Sequence, residues 1–313
     1  MKKLWIVSLA AVAALGAGTL GLAQKSASNK QFKNKAEFIV VESAEYQAGK
    51  EDPRLTLGLS QFLEATPTVT HLTAEQARAD AKLAGLDYSF LPVYLIKKTA
   101  SVRTKMEKPL QMGYVKENAD FFILSHQTPQ GVYENKQAQP GVLEVFVMSQ
   151  CPYGVRVEDL IVKAKKEGKF PADKTVKIRY IVSYDERNGF NSMHGSGEWE
   201  EDVRQLLIAK YYPSKFWKYL EIRNKDYRSS RWDKAMEQAG INVKKLMKKF
   251  DTEGMELLKA EAKHTAEFGV GASPTLIWEG KVQLGLDTAA TLEGFGFLNP
   301  GAGTGVAAPA GSC

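Results

Sequence analysis

The sequence predicts a two-domain α/β protein, and three observations carry that prediction. Short apolar runs alternate with segments of helical spacing. The alternation occurs twice along the chain. Each occurrence also ends near an apolar run that starts at a proline: Leu91-Pro-Val-Tyr-Leu-Ile96 in the first half and Ser273-Pro-Thr-Leu-Ile-Trp278 in the second.

The first residues read as a targeting segment. Lys2 and Lys3 precede an almost wholly apolar or small stretch, Leu4 to Leu22, and Gly21-Leu22-Ala23 is a small-residue cleavage site before Gln24. A membrane anchor is the alternative, since the stretch is near the roughly 18-residue threshold for spanning. Its many Ala and Gly residues and the polar sequence after it favour cleavage. No later stretch is long and apolar enough to span a membrane. The expectation is an exported protein, periplasmic or secreted, without stable membrane insertion after residues 1–23 are removed.

Residues 24–36 are polar and read as a flexible lead-in. In a first domain, 37–130, Glu37–Val41 reads as a strand, Leu55–Leu63 and Thr73–Gly85 as helices, and Leu91–Ile96 and Phe121–Leu124 as strands. Thr73-Ala-Glu-Gln76 opens the second helix with a capping-box pattern. Residues 131–140, rich in Gln, Asn, Pro and Gly, read as a linker. In a second domain, 141–295, Leu143–Met148 is a strand, Val155–Lys166 a helix and Thr175–Val182 an alternating strand. A helical insert over about 183–268 follows, with Val203, Leu206, Leu207 and Lys210 at three-to-four-residue steps. The proline-initiated strand then turns at Glu279-Gly280 into Lys281–Leu284. Residues 296–313, rich in Gly, Ala and Pro, read as a mobile tail.

The formal net charge is +6, falling to about +4 without the leader, with acids and bases interspersed. Lys163-Ala-Lys-Lys166 and Lys244-Lys-Leu-Met-Lys-Lys249 read as solvated helix faces, so nucleic acid is not an expected partner. Trp199, Trp217 and Trp232 with Tyr211, Tyr212 and Tyr219 read as aromatic core packing ahead of a peptide groove. With two cysteines the chain is no disulfide scaffold. His71, His126 and His264 show no metal spacing, and no cofactor is expected. Met148, Cys151, Met193 and His194 would make a soft copper site only on converging, which their spacing does not show.

Chemistry concentrates at Val145-Phe-Val-Met-Ser-Gln-Cys-Pro-Tyr-Gly154. Cys151 lies between an apolar strand and a helix, where the helix N-terminus favours a thiolate. The surround is Pro152, Tyr153 and Gly154, with amides from Tyr153 and Gly154 only. Arg156 favours a thiolate there, whereas Glu158 and Asp159 oppose it. The Cys-Pro-Tyr turn together with Ala272-Ser273-Pro274-Thr275 resembles the thioredoxin superfamily. The insert resembles its bacterial disulfide-forming members. Met193-His194-Gly195-Ser196-Gly197-Glu198 resembles the His-Gly-x-x-Glu segment of the gamma-interferon-inducible lysosomal thiol reductase group, without that group's flanking cysteines.

The resemblance implies tandem thioredoxin-like domains, the first degenerate and cysteine-free with Phe90-Leu-Pro-Val93 as its proline loop, the second carrying a helical insert. It implies that Ser273, Pro274 and Thr275 form a substrate-facing loop with a cis proline. Gly154 stands where a second redox cysteine belongs, so the expected site is a monothiol one. Cys151 is then the nucleophile of thiol–disulfide exchange on exported polypeptides, recycled by an external thiol. Cys313 is a candidate resolving thiol, because a tail of 18 residues spans roughly 21–25 Å on average; an unconstrained terminal cysteine is the alternative. His194 is a candidate acid/base or a helix-end residue. The alternative to exchange is a redox-inactive binding or assembly module, and dimerisation is open to either.

Overall fold

The computed structural model describes residues 32–125, 130–299 and 313. They belong to two compact units. One runs to Gln137 and includes Lys281–Gln283; the other comprises Ala138–Gly280 and Leu284–Cys313. The expected leader, most of the lead-in, His126 and the tail from 300 to 312 lie outside the described residues. No helix among the described residues is long and apolar enough to cross a membrane.

The first unit contains β1 (Asn34–Glu42), α1 (Pro53–Leu63), β2 (Ala65–Thr73), α2 (Ala74–Ala79), β3 (Phe90–Leu91), β4 (Val93–Lys97), α3 (Ala100–Gln111), β5 (Lys116–Glu117), β6 (Phe121–Leu124) and β7 (Gly131–Tyr133). Five strands form a sheet in the order β2-β1-β4-β6-β5, with β1 and β2 parallel and β4 antiparallel to β1. Period-two alternation sorts β4 onto two cores. Tyr94 and Ile96 pack with Phe38, Val40, Leu59, Val102 and Met106, and Val93 and Leu95 pack with Val41, Ala77 and Leu83.

Helix α1 starts where Asp52 accepts from the Arg54 amide and Pro53 takes the first position. The Thr73–Gln76 capping box forms, but α2 ends at Ala79, short of Gly85. Asp80 is extended there, and its carboxylate accepts from the Lys82 amide, a local bond that competes with the helix. Leu91–Pro92 is cis. Helix α3 lies in the chain between β4 and β6, and β7 occupies part of the span read as a linker. Leu91 of β3 pairs antiparallel with Val132 of β7.

The second unit contains β8 (Val142–Val147), α4 (Pro152–Lys166), β9 (Thr175–Tyr180), β10 (Ser183–Asp185), β11 (Gly189–Asn191), α5 (Ser196–Tyr211), α6 (Pro213–Arg223), α7 (Trp232–Gln238), α8 (Val243–Met247), α9 (Met255–Phe268) and β12 (Thr275–Trp278). After the turn at Glu279 and Gly280, both at positive φ, come β13 (Val282–Leu284) and α10 (Leu286–Ala289). Val282 and Gln283 of β13 pair with β7 inside the first unit.

Strand β8 pairs parallel with β9 and antiparallel with β12. A parallel β8-α4-β9 crossover, a helical section, and then a strand entered through the cis Ser273–Pro274 bond make an α/β thioredoxin-like fold with a helical insertion. The insert has its own core. Val203, Leu207 and Ile208 of α5 meet Phe216, Tyr219 and Leu220 of α6, Met236, Leu246 and Leu258, and Val162 ties that cluster to α4. Each such side chain stabilises by about 1.5–3 kcal/mol when fully buried. Trp199, Trp217 and Trp232 pack against the same cluster.

Candidate functional site

Strand β8 delivers the turn on which the site is built. Leu143 through Val147 are all buried, and beyond them the Cys151 amide donates to the Met148 carbonyl at 2.9 Å. Cys151 is extended, at φ −84° and ψ 123°, and forms the N-cap of α4 with Pro152 at the first helical position. The facing loop comes from the start of β12. Ser273 is wholly buried, and its Oγ accepts from the Met148 amide at 2.9 Å, so one side chain ties the two loops together. Thr275 Oγ1 donates to the Ala272 carbonyl at 2.7 Å and braces the loop from within.

Cys151 is not a free thiol. Its sulfur is bonded to Cys313, 162 residues away, and no cysteine of the chain is free. This overturns the monothiol expectation. Nucleophilic exchange requires a thiolate, and the structure offers a buried disulfide in its place. The assignments that depended on that thiol are corrected with it: exchange on polypeptide substrates, oxidoreductase activity, and membership of a monothiol Cys-x-x-Gly variant among the disulfide-forming or lysosomal reductase relatives. The Cys151 sulfur lies 3.6 Å from the Ser273 carbonyl oxygen. Without an S–H this is a packing contact.

Cys313 does more than supply a sulfur. Its amide donates to the Ser273 carbonyl at 3.1 Å, and the Ser273 amide donates to the Cys313 carbonyl at 3.3 Å. Such a reciprocal pair is the hydrogen-bonded register of antiparallel strands. The backbone of Ser273 therefore already carries a partner, and that partner is Cys313 of the same chain.

Gly154 is buried in the first turn of α4, and a Cβ there would stand 2.5 Å from Ser273 Oγ and 3.2 Å from Val147 Cβ. Pro152 is exposed and Tyr153 half-buried. His194 Nδ1 lies 2.8 Å from Glu198 Oε1, and the His194 amide donates to Glu198 Oε2 at 3.1 Å. The structure thus pairs His194 with Glu198 just ahead of α5, whose N-cap is Gly195.

Sequence reasoning missed the groups that hold the turn from beneath. Glu198 is wholly buried and accepts from the Gln150 amide at 3.3 Å, while Ser149 Oγ donates to the Glu198 carbonyl at 3.2 Å. Arg228 donates to the Gln150 carbonyl at 3.1 Å. The spacing of Glu198, Glu201 and Asp202 along one helix was the available signal, because three acids ordinarily mark a wet face. Here all three are buried. Burial pushes the Glu158 carboxyl up to about 8, so it is neutral at mildly acidic pH, and pushes Asp202 well above the usual carboxylate range. Among the described residues no group of His, Cys, Asp and Glu is arranged to hold a metal ion.

No family model and no curated protein matches the sequence. Among solved structures the chain is similar to the DsbA disulfide interchange protein from Klebsiella pneumoniae, at 17% identity and a TM-score of 0.39 over 54% of this chain and 88% of that one. It is also similar to the disulfide oxidoreductase DsbA from Proteus mirabilis, at 13% identity and 0.39 over 56% and 91%. BdbD from Bacillus subtilis matches at 18% identity and 0.35 over 50% and 80%.

Proposed function

We propose that the protein is an exported, redox-inactive binding or assembly module of two tandem thioredoxin-like domains, whose second unit holds an extended polypeptide against the backbone of Ser273. One observation carries this reading: both backbone polar groups of Ser273 are paired with Cys313, in the reciprocal pattern of antiparallel strands, and not with a neighbouring strand of the sheet. Main-chain pairing supplies affinity without demanding a particular sequence, as in strand-addition recognition generally. The disulfide supports an oxidising compartment, in keeping with the leader-like first residues. The partners are exported polypeptides in extended conformation.

The test uses the full mature chain with both Cys151→Ser and Cys313→Ser. Fluorescence anisotropy with a labelled, cysteine-free unfolded polypeptide should show saturable binding by this variant. A variant that is folded by circular dichroism yet gives no binding overturns the reading.

A further inference from the structure

In the described structure the Ser273 edge is occupied by Cys313 of the same chain. We propose that this occupancy is a redox latch: the Cys151–Cys313 disulfide keeps the edge closed, and a dithiol reductant opens it. The latch rests on the binding role proposed above and assigns that site its regulation; the module catalyses no exchange on its partners, and its own disulfide is what the reductant cleaves.

The geometry supports the latch at three points. The Ser273 N–H and C=O are both spent on Cys313, so no other chain can pair there while the bond holds. The tether is covalent, and a tethered occupant competes at an effective concentration that a free ligand rarely matches. The first unit supplies the contrast. There too the residue before a cis proline, Leu91, is paired with an extended segment, Val132 of β7. That segment is an internal strand of the sheet, and Gly131 approaches so closely that a Cβ would lie 2.5 Å from the Leu91 carbonyl oxygen. Nothing in it is cleaved by a reductant. Of the two edges, only the one closed by Cys313 opens by chemistry.

The two sulfurs are unequal, which gives the reduction a direction. Cys151 is wholly buried, whereas Cys313 is half-buried. An incoming thiolate therefore attacks the Cys313 sulfur and forms a mixed disulfide with it. The bond to Cys151 breaks, and Cys151 leaves as a thiolate at the N-cap of the 15-residue helix α4, where the helix end favours negative charge. The second thiol of the reductant then attacks its own bonded sulfur and expels Cys313 as a thiolate. The reductant ends as a disulfide; the protein gains two electrons and, with solvent protons, two thiols. Cys313 is then free to leave Ser273.

The experiment compares three forms of the full chain: oxidised wild type, wild type held in dithiothreitol, and Cys313→Ser. The labelled cysteine-free polypeptide should bind the second and third at least about tenfold more tightly than the first. Amide hydrogen exchange at Ser273 should accelerate in the same two forms. Equal binding by oxidised wild type, or exchange at Ser273 unchanged by reduction, overturns the latch while the binding role stands. Faster exchange with no binding by any folded form overturns the binding role and keeps the release of Cys313. If Cys313→Ser does not fold, reduced wild type still decides between these outcomes.

Discussion

Gly154 and Ser273 are in direct opposition: the Cβ that Gly154 lacks would stand 2.5 Å from the Ser273 hydroxyl oxygen, which is itself held by the Met148 amide. The glycine is thus a fitted position. Gly154→Cys should not regenerate a two-cysteine redox turn. Gly154→Ala should destabilise by about 1–3 kcal/mol, the usual cost of overpacking. Ser273→Ala alone should also destabilise, by about 1–3 kcal/mol, because the buried Met148 N–H loses its acceptor. In Gly154→Ala/Ser273→Ala the steric cost should largely vanish, so urea midpoints should show less than additive losses. Strict additivity would remove the proposed opposition.

The disulfide closes a loop of 162 residues by sequence separation. On chain entropy it should stabilise the oxidised protein by roughly 2–5 kcal/mol. Urea unfolding followed by circular dichroism, with and without dithiothreitol, should show a lower midpoint for the reduced form. The insert core around Val203, Leu207, Tyr219 and Leu258 does not depend on either cysteine and should keep the reduced unit folded. An unfolded reduced protein in the absence of urea would contradict this.

Much of the second unit was legible in the sequence. An apolar run entering Cys-Pro, an alternating strand and a proline-initiated strand each leave a local signature, and the structure contains β8, β9 and β12 at those places. Strand β2 left none. Its residues, Ala65-Thr-Pro-Thr-Val-Thr-His-Leu-Thr73, include Pro67 and alternating threonines, which suit an edge strand with little apolar content. Helix α3 was also hidden, since only Val102 and Met106 are buried and Pro109 lies inside it. Strand β7 is three residues in a polar span, fixed by Gly131 against Phe90 and Leu91. The pairing of Cys151 with Cys313 was beyond the sequence for a different reason. Tail length permits the meeting, and the hydrogen bonds between Cys313 and Ser273 that accompany it leave no mark in the sequence.

Glu158 makes stability fall as pH rises. Its carboxyl is pushed up to about 8 by burial, with Asp159 and Glu201 adding repulsion and Asn224 opposing. A folded value above the ordinary 4.5 means the fold binds the proton more tightly than the unfolded chain. The contribution is complete below about 4.5 and is lost as pH climbs to about 8. The loss is on the order of 3–5 kcal/mol. Asp202 and Tyr180 face the same cluster and shift in the same direction. Glu158→Gln should flatten urea stability between pH 5 and 9; an unchanged slope would show that Glu158 is not the titrating group.

Glu144 acts with the opposite sign. It is wholly buried in β8, with Oε1 accepting from Arg179 Nε at 2.7 Å and lying 3.1 Å from His264 Nε2. Arg179 also donates to Glu261 Oε1 at 2.7 Å, and Glu261 Oε2 accepts from the Tyr180 amide at 3.2 Å. Burial pushes the Glu144 carboxyl up, but His264 and Arg179 together outweigh it and hold it below the usual range. A depressed folded value gives stability that is present above about 4.5 and lost as pH falls. Arg179→Met should therefore leave a buried carboxylate without its guanidinium and cost about 3–5 kcal/mol at pH 7. The deficit should shrink as pH falls toward 4, because burial without the guanidinium makes Glu144 take up a proton more readily than in the wild type, and Glu144→Gln in the same background should recover much of it at pH 7. Guanidinium unfolding at the two pH values separates this from a plain packing defect, whose cost would not change with pH. With Glu158 losing its contribution upward and Glu144 losing its contribution downward, the second unit should be most stable at mildly acidic pH.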